Sequence, residues 1–378
     1  MKLLFITGSR GEWGYIKPML KICNEKNIEY EILVTNMHLL PQHGNTIDEI
    51  IQDGFEVQYK IYSTYDGSNH FTMTKSMGSI IQSLVDILDI SKPSWIVLAG
   101  DRYETVAAAL AGSYTYTPTA HIQAGELSGN IDGIGRHVIG KLAHLHFASN
   151  EDAADRLAKL GEEDFRIHNV GAPQLDDMYS GEISDASTIL EKYQLNIEED
   201  YFLVLFHPVT EEFEQIAKQI EVLHSSLKIF DNKKVWILPN NDAGGEQISN
   251  YLKENRSNQF KLYKNIPRKD YLTLLKNTKC LIGNSSSGIL EAPTYTTPVV
   301  NVGSRQEGRL RSKNIIDVNT FDEKSIIDAI KNTFSKNFKS NLKNVHNPYG
   351  SGNSSEEIIK ILKDKVNHDS LLQKRITF

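Results

Sequence analysis

Residues 283–291 read Gly283-Asn284-Ser285-Ser286-Ser287-Gly288-Ile289-Leu290-Glu291 and follow the apolar run Cys280-Leu281-Ile282. The pattern predicts a buried strand emptying into a small polar loop that opens a helix, with a carboxylate one turn further in. The unpaired N–H groups of a helix's first turn, the serine hydroxyls and the positive end of the macrodipole make such a loop a ready anion site. A carboxylate six residues after Ser285 cannot serve the same anion; it suits a diol, as the acidic residue of a nucleotide fold suits a ribose. The stretch therefore reads as a grip for a nucleoside diphosphate. An ordinary capped Ser/Gly turn gives the same local pattern, and the rest of the chain must decide between the two.

Working outward, short apolar runs alternate with helical patterns over nearly the whole length. Residues 3–7, 30–35, 95–99, 120–123 and 146–149 read as buried strands, with helices at 15–25, 77–88 and 105–111 between them and a further strand at 165–170. The pattern restarts with 202–206, 235–238, 260–263, 279–282 and 299–302. Strand–helix alternation predicts parallel sheets covered by helices on both faces. Two such series predict an α/β fold of two doubly wound Rossmann-like domains, 1–171 and 172–354, facing across a cleft. A final helical stretch, 355–367 within a tail of 355–378, is free to pack back on the first domain. Ligands in open α/β sheets sit beyond the carboxyl ends of the strands, so the cleft is where a site is expected.

The broad limits agree. At 378 residues the chain exceeds what one hydrophobic core usually serves. It is 40% hydrophobic and 24% charged, as ordinary soluble domains are, and its net charge of -7 gives no reason to expect nucleic acid. No apolar run is long enough to span a bilayer, and the opening Met1-Lys2-Leu3-Leu4-Phe5-Ile6-Thr7 breaks at Gly8, as a first strand would. Two distant cysteines, Cys23 and Cys280, fit buried thiols of a reducing compartment, and the cytoplasm is the expected location.

The expected strand ends carry the unusual polar residues. Gly8-Ser9-Arg10 follows the first strand, with Lys17 in the next helix; Gly100-Asp101-Arg102 follows 95–99; Ala124-Gly125-Glu126 follows 120–123, with Asp132, Arg136 and His137 close behind. In the second half, His207-Pro208, Pro239-Asn240-Asn241-Asp242 and Gly303-Ser304-Arg305 close three more strands. Any one of these has a bland reading as a turn, a cap or a surface ion pair. Their common location favours a site.

This set of motifs, with His121-Ile122-Gln123-Ala124-Gly125-Glu126, Ile131-Asp132 and Phe206-His207-Pro208, resembles the hydrolysing UDP-N-acetylglucosamine 2-epimerases. These supply N-acetylmannosamine for sialic acid, and sister enzymes act on UDP-2,4-diacetamido sugars for legionaminic acid. The resemblance spans roughly residues 3–310 in colinear order. It implies the glycosyltransferase-B type fold, a UDP-amino sugar substrate with UDP as product, homo-oligomers (a dimer or tetramer), and neither metal nor nicotinamide cofactor.

Inverting C2 of a UDP-amino sugar needs removal of a weakly acidic C2 proton as the C1–O bond to UDP breaks. Water then adds across the double bond of the resulting glycal. Such chemistry needs positive charge on the diphosphate and acid/base groups near C2 and C1. Arg10, Arg102 and Arg305, with the N–H groups at Ser285 and Ser286, are the candidates for the first, and Lys17 could add a point charge to the substrate. The family pattern assigns proton transfer to Asp101, Glu126, Asp132 and His207. Many relatives carry Glu where this chain has Gln123, and an amide cannot cycle a proton, so Glu126 is the expected acid/base and Gln123 a substrate-orienting group. Close carboxylates raise one another's pKa, which could keep one protonated beside an ionised partner. An N-cap is the bland alternative for Asp132. Glu291 is expected on the ribose, Asn240 on the nucleotide, and the backbone of Lys264-Asn265-Ile266 on the uracil edge. A UDP-sugar glycosyltransferase, a non-hydrolysing 2-epimerase and a non-catalytic nucleotide-sugar sensor are the rival readings, and the sugar's C4 and C6 substituents have no residue assigned to them.

Overall fold

Thirteen described strands fall into two all-parallel sheets, and each strand is linked to the next by a helical crossover or a loop. The structure is a computed structural model describing residues 1–66, 69–181, 183–366 and 370–377. The first sheet contains β1 (Lys2–Thr7), β2 (Glu29–Thr35), β3 (Tyr59–Ile61), β4 (Trp95–Ala99), β5 (Thr119–Ile122), β6 (Leu145–Ala148) and β7 (Ile167–Asn169). Its helices are α1 (Arg10–Glu25), α2 (Ile47–Gln52), α3 (His70–Ser91), α4 (Tyr103–Tyr114), α5 (Ile131–Leu142), α6 (Glu151–Lys159) and α7 (Asp176–Tyr179). The second sheet contains β8 (Tyr201–Leu205), β9 (Lys233–Ile237), β10 (Phe260–Tyr263), β11 (Cys280–Gly283), β12 (Val299–Val302) and β13 (Ile315–Val318). With it go α8 (Ala186–Lys192), α9 (Ile216–Lys228), α10 (Gly245–Glu254), α11 (Arg268–Asn277), α12 (Ser286–Leu290), α13 (Glu323–Thr333) and α14 (Lys336–Asn341).

Parallel strands cannot be joined by tight hairpins, and the helices needed to cross over cover both sheet faces. That is why β4, β5, β6 and β8 are buried at every residue, and β4 and β8 read as continuous apolar runs. The strand orders are β3-β2-β1-β4-β5-β6-β7 and β10-β9-β8-β11-β12-β13. Each order reverses once, between β1 and β4 and between β8 and β11. The loops leaving a sheet at such a reversal run in opposite directions and open a crevice beyond the strand ends. The expected pair of doubly wound Rossmann-like sheets is therefore present. Sequence patterning missed β3 and β13, which are edge strands of three and four residues whose alternation is broken by the exposed Lys60 and Asp317. The strand expected at 165–170 is only β7, because Asp164–Arg166 forms a 3-10 turn that carries the Arg166 side chain inward.

The chain divides into two units, each described by itself. The first comprises Met1–Leu127, Ile131–Ser180 and the chain from Tyr349 onward; the second comprises Ser128–Asn130 and Gly181–Pro348. The crossing lies past Ser180 rather than at 171, because residues 172–180 are tied to the first unit. Ala172 donates its N–H to the Tyr349 carbonyl at 2.8 Å, Lys21 pairs with Asp177 at 2.8 Å, and Asp176 accepts the N–H groups of Ser354 and Ser355 at 3.1 and 2.7 Å. The return comes at 349 rather than 355, and α15 (Ser354–Lys365) follows it. Ile358, Ile359 and Leu362 of α15 join Leu3, Phe5 and Trp95 in one core, and the Trp95 indole donates to the Leu362 carbonyl at 3.1 Å. Asn367, the expected end of that helix, lies outside the described residues. Among the described residues no helix is long and apolar enough to cross a membrane.

Candidate active site

At the reversal of the first sheet, the loop after β1 turns into α1 through a capping box. Ser9 is the N-cap, its hydroxyl accepts the Glu12 N–H, and the Glu12 carboxylate accepts the N–H groups of Gly8 and, at 3.0 Å, Ser9. The loop after β4 brings Arg102, whose Nε donates to Glu104 at 2.8 Å, and Asn36 donates to the same carboxylate oxygen at 3.0 Å. Gly8 is required here, since a Cβ would lie 2.6 Å from that oxygen. Burial, and then the charge of Glu104, raise the Glu12 carboxyl well above the ordinary carboxylate range. Sequence reasoning missed both glutamates, although the Ser9-x-x-Glu12 spacing is a capping-box signal. Arg10 is the first residue of α1. Burial, with the Arg10 charge second, lowers the nearby His38 to about 3.

One strand along, the loop after β4 presents Asp101 from Gly100, which has φ +83°. The Gly100 carbonyl is hydrogen-bonded to His121 Nε2 of β5 at 2.7 Å, which assigns the proton to that nitrogen; burial lowers His121 to about 3. Arg136 of α5, 1% exposed, links the two loops: one terminal nitrogen binds the Asp101 carboxylate and the other donates to the Gln123 carbonyl at 2.5 Å. Gln123 is held at φ +61°, a sparsely populated conformation for a side chain of its kind, and its buried amide nitrogen has no partner. Glu126, 3% exposed, accepts the Ser149 hydroxyl at 2.7 Å and the Asn150 amide on one carboxylate oxygen. Asp132 is not the N-cap but the second residue of α5, half-buried and one turn ahead of Arg136. The Arg136 guanidinium thus joins the loops carrying Asp101 and Gln123, with Glu126 in the second of these loops and Asp132 one turn ahead on α5. Lys17 does not join them. It lies two turns into α1, 4% exposed, with its ammonium 2.6 Å from Asp53.

The second unit repeats the plan at its own reversal. Gly283 ends β11 at φ +132°, where a Cβ would fall 1.9 Å from the Leu205 carbonyl, so only glycine lets β8 and β11 part this closely. Asn284 then ties three loops together. Its side chain accepts the His207 N–H at 2.7 Å and donates to the His207 carbonyl at 2.8 Å, while its own carbonyl accepts Gln306 at 2.9 Å and Arg305 at 3.3 Å. The His207 ring accepts the Asn240 N–H on Nδ1 at 3.2 Å, which assigns its ring proton to Nε2. Asn240 is buried, its amide nitrogen bonded to Asp242 and its amide oxygen without a partner. The roles of Asn284 and Gln306 were not legible beforehand, because small polar residues in loops are common.

Ser285 is the N-cap expected, accepting the Ser287 N–H at 3.3 Å, but α12 has only five residues. Its macrodipole is correspondingly small, so anion binding there would depend on the N–H groups and hydroxyls of Ser285 and Ser286 themselves. Glu291 is 6% exposed and already engaged, with Arg268 at 2.5 Å on one oxygen and the Ser287 hydroxyl at 2.5 Å on the other. A carboxylate keeps further lone pairs for a diol, but Arg268 is part of this site and went unrecognised. Lys264, exposed, Asn265, half-buried, and Ile266, buried, form the loop from β10 to α11, the helix that carries Arg268. Among the described residues no group of three or more His, Cys, Asp or Glu side chains is placed to hold a metal ion.

Taken unit by unit, the first carries acids and arginines at its strand ends and the second an imidazole, arginines and a hydroxyl-rich loop at its own; groups of these kinds suit proton transfer and phosphate binding respectively. A family model described as UDP-N-acetylglucosamine 2-epimerase matches residues 20–363. A relative from Legionella pneumophila, named UDP-N,N'-diacetylbacillosamine 2-epimerase (hydrolyzing), is 33% identical over 99% of this chain and 98% of its own. Another from Neisseria meningitidis, named UDP-N-acetylglucosamine 2-epimerase, is 35% identical over 87% of this chain and 86% of its own. Among solved structures, a Neisseria meningitidis UDP-GlcNAc 2-epimerase bound to UDP-GlcNAc matches with a TM-score of 0.80 at 20% identity, covering 96% of this chain and 100% of that one. That last likeness speaks for the fold alone.

Proposed function

The chain belongs to the UDP-N-acetylglucosamine 2-epimerase family, and from that premise we propose that it is a hydrolysing UDP-amino sugar 2-epimerase. A base of the first unit takes the C2 proton; the freed electron pair becomes the C1–C2 double bond; and the C1–O bond breaks with its electrons leaving on UDP. The product is a 2-acetamidoglycal. Water then adds, hydroxyl to C1 and a proton to the opposite face of C2, giving N-acetylmannosamine and UDP when the substrate is UDP-N-acetylglucosamine. Asp101, Glu126, Asp132 and His207 are the proton-transfer groups. Arg10, Arg102, Arg305 and the Ser285-Ser286 loop neutralise the diphosphate, Glu291 with Arg268 takes the ribose, and Gln123 orients the sugar. Lys17, held by Asp53, is given no step in this scheme. The two buried thiols, pushed up to about 12 by desolvation, fit a cytoplasmic enzyme.

The observation that carries this reading is the placing of Asp101, Gln123 and Glu126 in the loops after two adjacent strands, with Arg136 bonded to the first two. A glycosyltransferase needs one base and an acceptor site, not several acids. A second reading has a specific support: the Legionella relative matched over 99% of this chain is named for the diacetamido sugar. UDP-2,4-diacetamido-2,4,6-trideoxyglucose is then the substrate, and the product feeds legionaminic-acid-type rather than sialic-acid-type synthesis. Incubation with each UDP-sugar alone, followed by NMR of the released sugar, tests both. Free 2-epimerised sugar plus UDP is expected, and the faster substrate decides between the readings. A 2-epimer still bearing UDP, or no turnover without an acceptor, would overturn the hydrolysing assignment.

A further inference from the structure

Helix α5, which carries Asp132 and Arg136, ends without a glycine cap. The His144 N–H, which would normally close the last turn onto Gly140, turns instead to the Thr119 carbonyl at 2.8 Å. The Gly140 carbonyl is therefore one of the orphan acceptors that every helix end must satisfy from outside. Lys374, close to the end of the described chain, supplies the donor. Its ammonium lies 2.7 Å from the Gly140 carbonyl, 2.6 Å from that of Ala143, and 2.6 Å from the Glu162 carboxylate. A cation is the favoured partner for a helix C-terminus, where the macrodipole is negative. Two neighbouring acceptors are also filled from other elements: Ser113 donates to Leu142 at 3.0 Å and Arg166 to His144 at 3.0 Å.

Lys374 is itself held in place. Arg166, fully buried, donates to the carbonyls of Leu371, Ser370 and Gln373 at 2.8, 2.9 and 3.0 Å. One guanidinium thus fixes both the end of α5 and the segment that caps it. Burial alone would raise the Glu162 carboxyl, but the hydrogen bond from His146 and the Lys374 charge outweigh it and hold it at about 2. A buried ammonium with a satisfied ionised partner is an expensive arrangement to keep for packing alone.

We infer that Lys374 is a positioning residue, and that residues 370–377 form a strap which caps α5 and fixes the placement of Asp132 and Arg136 at its other end. The role rests on the reading that α5 carries site residues. It asks nothing of the strap toward substrate, because a helix transmits the placement of its end along a rigid rod. Loosening the last turn lets the helix shift by fractions of an ångström, and misplacement of that kind lowers turnover without touching the nucleotide grip of the second unit.

The test compares full-length Lys374→Met, Lys374→Arg and, as a control, Lys26→Met, which removes the exposed ion pair between Lys26 and Glu356 of the same unit. For Lys374→Met, kcat is expected to fall roughly five- to twentyfold with KM and UDP affinity within about twofold. The amides of residues 140–143 should exchange with deuterium about tenfold faster than those of β5 and β6. Lys374→Arg should restore most of the turnover, and Lys26→Met should change neither readout. Unchanged kcat below the melting temperature, or exchange that rises equally across the unit, overturns the inference. If Lys374→Met does not fold, the wild type decides: a last turn of α5 that exchanges faster than β5 and β6 shows that the strap does not cap it. Absence of turnover by wild type on either UDP-sugar would instead count against the proposed function, and the exchange measurements would still judge the strap.

Discussion

Replacing Arg136 by lysine should lower kcat by about two orders of magnitude while UDP affinity stays within about twofold. The guanidinium serves two acceptors at once, the Asp101 carboxylate and the Gln123 carbonyl, from a position 1% exposed. An ammonium is a point donor on a shorter fork and reaches one of them well. The orphaned acceptor then costs about 1–3 kcal/mol. Relaxation of the Gln123 backbone from its φ of +61° offsets part of this; such backbone strain is of order 1 kcal/mol. The Asp101 side chain is 16% exposed, so water partly compensates it, and the lysine keeps a charge nearby. A net loss near the lower end of about 1–3 kcal/mol follows, and in a unit of roughly 200 residues each kcal/mol moves the melting temperature by about 2–4 °C. Turnover measured well below melting, calorimetry with UDP and a thermal melt together judge the argument. A kcat within about threefold of wild type despite a lowered melting temperature would make Arg136 merely structural. A tenfold or greater loss of UDP affinity would place the guanidinium on the nucleotide instead.

Three further outcomes are expected. Glu126→Gln should lose about 10²–10⁴ in turnover, measured by UDP release, with its fold kept because the amide oxygen still accepts Ser149 and Asn150; Gln123→Ala should lose far less, and equal losses would make position 123 as important as Glu126. Lys17→Met should destabilise by roughly 1–3 kcal/mol through the abandoned Asp53 and leave UDP binding unchanged, whereas a tenfold weaker UDP affinity by calorimetry would return Lys17 to the site. Stability should also fall as pH drops below about 6.5. Burial lowers His38 and His121 to about 3 and His144, His146 and His224 to about 4, from 6.5. The unfolded chain therefore binds more protons across that window, so the stabilisation is whole above it and lost on acidification. The raised Glu12 and Asp176 work in the opposite sense, and the lowered histidines outnumber them. Urea midpoints at pH 8, 6.5 and 5 that do not decline would refute this.

The doubly wound plan was legible because parallel sheets bury strands on both faces, and β4 and β8 stand out as uninterrupted apolar runs. The edge strands β3 and β13 were not, since they are short and carry charge. At the site, residue types at strand ends pointed to Asp101, Glu126 and His207, but not to what holds them. Arg136 was singled out in the sequence but given no role; its contact with two loops depends on β4, β5 and α5 meeting, which no local pattern encodes. Lys17 shows the same limit. Its position on α1 fits a phosphate contact, and only the fold shows Asp53 waiting beside it. Glu12 was recoverable in principle from its capping-box spacing.

The route of the chain also sets an order of assembly. The second unit is nearly continuous in sequence, whereas the first closes its core with α15, drawn from beyond residue 349. During synthesis the leading sheet therefore emerges with the place of Ile358, Ile359 and Leu362 uncovered, and it must wait through the whole second unit before that surface is sealed. The later-made unit can finish first. A nascent chain halted before α15 would present a folded second unit and an unsealed first unit, making the first unit the one exposed to chaperones and proteases.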